Sequence, residues 1–129
     1  MDAPGLDEIE RMALEAVEAL PEAFRGPARD VLLRVEDLAD DALLDEMGMD
    51  DPFALTGLYE GIPLTHKSVM DPGTGPDVIR LFRRAILDEW IARGDVALAD
   101  LVAHVMVHEL AHHFGWSDDD IAAIDRWWE

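Results

Sequence analysis

From Val96 to Phe114 the chain places Val96, Leu98, Leu101, Val102, Val105, Met106, Leu110 and Phe114 around nearly every side of a helix. A helix without a polar face has to be covered all round, so this stretch predicts an element at the centre of the fold. Asp95 is read as its N-cap. Gly115 is read as its stop, because glycine enters the left-handed conformation that reverses a chain without steric cost.

Inside this stretch runs His108-Glu109-Leu110-Ala111-His112. Residues four apart lie one above the other on a helix, so both imidazoles can face one metal ion. Glu109, a quarter-turn round, is close enough to take a proton from water on that metal. Two neutral nitrogen ligands and one carboxylate are the parts of a hydrolytic zinc site, with the metal lowering the pKa of water and polarising a carbonyl. The competing reading makes His108 and His112 core histidines satisfied by hydrogen bonds. Glu109 resists it, since a carboxylate on a buried helix is costly unless it is paired or acts on something.

A third ligand is expected beyond Gly115, where Asp118, Asp119 and Asp120 are consecutive. One of them would face the metal in almost any turn geometry. Spacing favours Asp118, and the others suit the first turn of a last helix, where carboxylates complement the dipole. His104 competes, lying four residues before His108. Three positions spaced that way span about 12 Å, too far for one ion with bonds of about 2.1 Å, so His104 reads as a supporting or core residue. His113 points off the His108/His112 face and reads as structural or as a supporting donor. His66 lies in a different region, and nothing in its spacing assigns it. Trp116, between Gly115 and Asp118, is a candidate wall of the metal pocket, while Trp90, Trp127 and Trp128 read as core or lid.

Composition narrows the function classes. The 129 residues contain no cysteine, which excludes disulfides, thiolate zinc ribbons and thiol catalysis and leaves His, Asp and Glu as the strong metal ligands. The formal net charge is −19. A surface of that sign repels phosphate backbones, so nucleic acid is not expected as a partner. It suits a cationic peptide or protein substrate, or plain solubility, which needs fewer assumptions. The N-terminus lacks a basic segment followed by an apolar run, and no apolar run has the length of a membrane span. The expected location is cytoplasmic, with no membrane partner.

The chain is read as one domain over residues 1–129, without internal repeats. Leu6, Ile9, Ala13, Val17 and Leu20 mark a helix closed by Pro21. Residues 30–37 and 78–82 predict strands, residues 40–47 a short helix stopped by Gly48, and residues 83–93 a helix ending at Gly94. Two short extended runs about Glu60-Gly61 predict a hairpin or a bent edge strand, since Pro63 cannot donate to a ladder. Residues 70–77 predict a loop, and a last helix is expected from about Ser117.

The string His108 to Asp118, H-E-x-x-H-x-x-G-x-x-D, resembles that of the short bacterial minimal zincins, a family of zinc metallopeptidases. Val35-Glu36-Asp37-Leu38, the segment from Gly57 to Leu64, Ile79-Arg80-Leu81-Phe82-Arg83-Arg84 and His112-His113-Phe114-Gly115 add to the resemblance. It implies an α+β, zincin-like fold with a small mixed β-sheet packed against a buried active-site helix, and the segment Leu58 to Leu64 as the strand bordering the metal cleft. It also implies one Zn2+ ion on His108, His112 and Asp118, with Glu109 as general base. In zincins generally such an edge strand can pair with an extended peptide. The chain departs from larger relatives. No methionine follows the motif to make a Met-turn, and Tyr59, the only tyrosine, precedes it, so no downstream Tyr or His can stabilise an oxyanion.

The function expected is therefore a zinc-dependent metallopeptidase, with metal-activated water attacking the peptide bond. The alternative is a non-catalytic zinc-binding or interaction module on a zincin scaffold, its metal serving stability.

Overall fold

The computed structural model describes residues 4–61, 77–117, 119 and 121. Helix α1 spans Leu6–Glu18, α2 Glu22–Ala28, α3 Asp41–Met47, α4 Arg83–Arg93 and α5 Leu98–Phe114; strand β1 spans Leu32–Glu36, β2 Gly57–Glu60 and β3 Val78–Phe82. A 3-10 turn at Pro52–Ala54 precedes β2. The architecture is α+β; among the described residues it has a three-stranded mixed sheet in the order β1-β3-β2. The parallel β1–β3 pair sets Leu33 beside Ile79 and Val35 beside Leu81. The antiparallel β2–β3 pair sets Gly57 beside Leu81 and Tyr59 beside Ile79.

Strand alternation then sorts the sheet into two faces. Ile79 and Leu81, both fully buried, join Leu33, Val35 and Tyr59 on the face packed by α1 and α5. From α1 come Ile9, Ala13 and Val17, spaced four apart and buried. From α5 come Leu101, Val102, Met106 and Leu110. As its sequence requires, α5 is the most enclosed helix. On the opposite face Phe82 meets Leu43, Leu44, Leu55 and Ala85 in a smaller cluster. Beside it Arg80 bonds Glu36 on β1 at 2.7 Å and Glu60 on β2 at 2.7 Å, tying all three strands together. Asp40 caps α3 by accepting from the Leu43 N–H at 2.8 Å, and Gly48, Gly94 and Gly115 close α3, α4 and α5 in the left-handed conformation.

Two sequence readings change. The helical run at the chain's start ends at Glu18, and a separate helix, α2, follows Pro21. The sequence reading assigned no element between Pro21 and Asp30; Phe24 anchors this stretch, its ring 4.8 Å from Trp116 in an edge-on contact. Nor does Asp95 cap α5. The helix begins two residues later, with Ala97 as N-cap and no side-chain cap bond. The Trp90 indole donates to the Val96 carbonyl at 2.7 Å, which holds the connector in a bend and moves the start on.

Of the two extended runs about Glu60-Gly61 the first forms β2, at an edge of the sheet among the described residues; the second, with Pro63 and His66, and residues 70–76 of the expected loop lie outside the described residues. So does most of the last helix, of which Asp119 and Ile121 are described as helical. Among the described residues no helix is long and apolar enough to cross a membrane.

Candidate metal centre

The long buried helix α5 carries three lines of side chains that matter. Val105, Glu109 and His113, each four apart, look toward β2. His104, His108 and His112 form the adjacent line. Leu101, Val102, Met106 and Leu110 fill the core.

The approach of β2 to α5 is unusually close. A Cβ on Gly57 would stand 2.8 Å from Val105 Cγ1 and 3.2 Å from Glu109 Cγ. Only a residue without a side chain lets the strand come this near. The result is a wall of backbone beside the Glu109 carboxylate, and the Tyr59 N–H donates to that carboxylate.

His108 lines a cleft of about 210 Å³ together with Thr56, Glu89, Arg93, His104, Val105 and Glu109. His104 and His108 lie ring against ring, 4.3 Å between centroids. His112 is on the solvent side, with its Nδ1 3.4 Å from Glu109 Oε2. Burial pushes the Glu109 carboxyl above its ordinary value, against the opposing pull of His112, the Tyr59 N–H and His108. A carboxylate placed this way is easier to protonate than one in water, which suits a group that receives a proton and passes it on.

The structure brings His108, Glu109 and His112 together within little more than a turn of α5. Asp118 and Asp120 lie outside the described residues, and Asp119 is exposed on the helical segment after Ser117. Among the described residues no three His, Asp or Glu side chains gather closely enough to hold a metal ion. What is there fits zinc in kind: two imidazoles at the spacing of one helical turn, with a carboxylate between them and a cleft alongside.

Other candidates fall elsewhere. Trp116 stacks on Phe114 at 5.2 Å and meets Phe24, closing an apolar hollow with Ala23 and Pro27 instead of walling the His108 cleft. His113 is 4 % exposed and faces β2. The sequence reading did not anticipate Thr56, Glu89 and Arg93 in the cleft, and no pattern in the chain marks them. They arrive from β2's approach and from the end of α4 through packing alone. Asp77, read only as part of a loop, is buried against His113, their Oδ2 and Nδ1 3.0 Å apart.

No curated protein matches the sequence. The family model described as zincin-like metallopeptidase matches residues 28–128, which takes in the whole sheet, α3, α4 and α5 and leaves α1 outside. The matched span contains the H-E-x-x-H string and the strand laid against it, and the chain belongs to the zincin-like metallopeptidase family.

Proposed function

We propose that this protein is a zinc-dependent peptidase in which Glu109 is the general base. The observation that carries the reading is the setting of Glu109. It is a mostly buried carboxylate, raised in pKa, lying between His108 and His112 on one helix and bordering a cleft. His108, His112 and Asp118 would hold the metal. Zinc, when bound there, supplies Lewis acidity to a scissile carbonyl and brings water within reach of deprotonation near neutral pH.

The work of the chain's own groups follows from their positions. Glu109 takes the proton of the attacking water on a carboxylate oxygen as the oxygen–carbon bond forms. It then gives that proton to the amine that leaves when the carbon–nitrogen bond breaks. The Tyr59 N–H and His112 restrain the carboxylate, so that little reorganisation is needed for either transfer. The substrate is a peptide or protein segment. Among the described residues strand β2 is an edge of the sheet, and an edge strand can pair with an extended chain. A larger cleft of about 510 Å³ adjoins it, with Asp40, Glu46 and Glu60 in its lining, and with the net charge of −19 this favours basic peptides.

The test is Glu109→Gln assayed on a peptide library with zinc-loaded protein. Cleavage should fall about a hundred- to ten-thousand-fold while zinc uptake is retained. Zinc-dependent cleavage unaffected by the substitution would refute the mechanism.

A further inference from the structure

Three residues distant in sequence meet beside Glu109, on the β2 side of α5. Asp77 immediately precedes β3, Tyr59 is the third residue of β2, and His113 lies one helical turn beyond Glu109. Asp77 and His113 are nearly fully buried, 7 % and 4 % exposed. His113 Nδ1 stands 3.0 Å from Asp77 Oδ2 and 3.3 Å from the Tyr59 hydroxyl. Tyr59 also donates to Asp77; burial and that carboxylate push its phenol up to about 12, so it remains a neutral donor. The three groups thus close on one another. The fit is tight enough that a Cβ on Gly61 would overlap Asp77 Oδ1.

Burying a carboxylate costs free energy that an apolar residue would avoid, and a hydrogen-bonded partner is the least it requires. The cluster is joined to Glu109 through Tyr59. The side chain of Tyr59 enters the Asp77–His113 pair, while its backbone N–H donates to the Glu109 carboxylate. Strand β2 has four residues and, among the described residues, is bonded to β3 along one side. Ladder bonds to β3 do not by themselves fix its distance from α5. Gly57 sets how close it can come, and the phenol seated against His113 keeps it from moving away.

We propose that Asp77, His113 and Tyr59 form a clamp that seats β2 on α5 and thereby holds the Tyr59 N–H on Glu109, making them positioning residues for the base. The proposal rests on the reading of Glu109 given above. Anchoring one part of a carboxylate on a fixed N–H limits its rotation and leaves it aimed toward the His108 cleft.

The experiment uses full-length protein and two variants, Tyr59→Phe, which removes only the hydroxyl, and Asp77→Asn. In metal-free, nitrogen-15-labelled protein, the Tyr59 amide signal reports its bond to Glu109; Glu109→Gln supplies the reference for the altered acceptor. The amide signal should move toward that reference and exchange faster in both variants. On zinc-loaded protein, kcat should fall about ten- to a hundredfold, with KM and the zinc dissociation constant within about threefold of wild type. A Tyr59 amide unmoved in the variants overturns the clamp, as does a lowered Tm with kcat unchanged below melting. If Asp77→Asn does not fold, Tyr59→Phe decides alone. Wild-type protein that cleaves no peptide would refute the proposed function, and the amide readout would still decide the clamp.

Discussion

Replacing Gly57 by alanine tests the close approach of β2 to α5 on which the candidate site depends. Carbon atoms in good contact sit about 3.5–4.0 Å apart. The new methyl would lie 2.8 Å from Val105 Cγ1, 3.2 Å from Glu109 Cγ and 3.4 Å from Leu81 Cδ2. The last is tolerable and the first is not. Val105 is buried and β-branched, with one favoured rotamer on a helix, so it cannot swing aside. The strand has to retreat instead. Overpacking of this kind costs about 1–3 kcal/mol. Alanine lowers the entropy of the unfolded chain and offsets about 0.4–1 kcal/mol of that. At the centre of these ranges the net loss is about 1 kcal/mol, a fall in Tm of about 3–5 °C for a chain this size. Thermal unfolding of metal-free Gly57→Ala and wild-type protein by circular dichroism measures the loss. A Gly57→Ala variant as stable as wild type, or more stable, would refute the reasoning that β2 is in hard contact with α5.

Further expectations follow from the same packing. Ile9→Ala should cost about 2–5 kcal/mol in denaturant unfolding, because α1 supplies core to α5 even though it lies outside the family match. Arg80→Ala should cost about 1–2 kcal/mol, less than a fully buried pair because both glutamates are more than a third exposed. Part of that loss is repulsion between Glu36 and Glu60, so the gap to wild type should narrow in high salt. Glu109 has a folded-state pKa raised by burial. The folded protein therefore favours its protonated form, and the stability it contributes is present below the ordinary carboxylate pKa and lost as pH rises through the raised value. Metal-free Glu109→Gln should thus be more stable than wild type at neutral pH. The difference should shrink as pH falls into the range where Glu109 is protonated; a difference independent of pH would contradict the assignment.

Much of this protein is local in origin. The apolar residues around α5 require a buried central helix, and the i, i+4 spacing puts His108 and His112 on one line with Glu109 beside it, whatever surrounds them. Gly48, Gly94 and Gly115 mark helix ends because the left-handed conformation is cheap for glycine alone. The residues of β1 and β3 declare themselves by their apolar runs. Tertiary structure decided what these patterns cannot encode. Phe24 docking on Trp116 makes a helix of a stretch whose Gly26 and Pro27 argue against one, and Trp90 bonding Val96 delays the start of α5. Thr56, Glu89 and Arg93 reach the His108 cleft from elements with no sequence relation to the motif. Asp77 meets His113 and Tyr59 only because antiparallel pairing brings the start of β3 beside the end of β2. Periodicity specifies which face of an element a residue occupies; which other element covers that face depends on long-range packing, which no local spacing records.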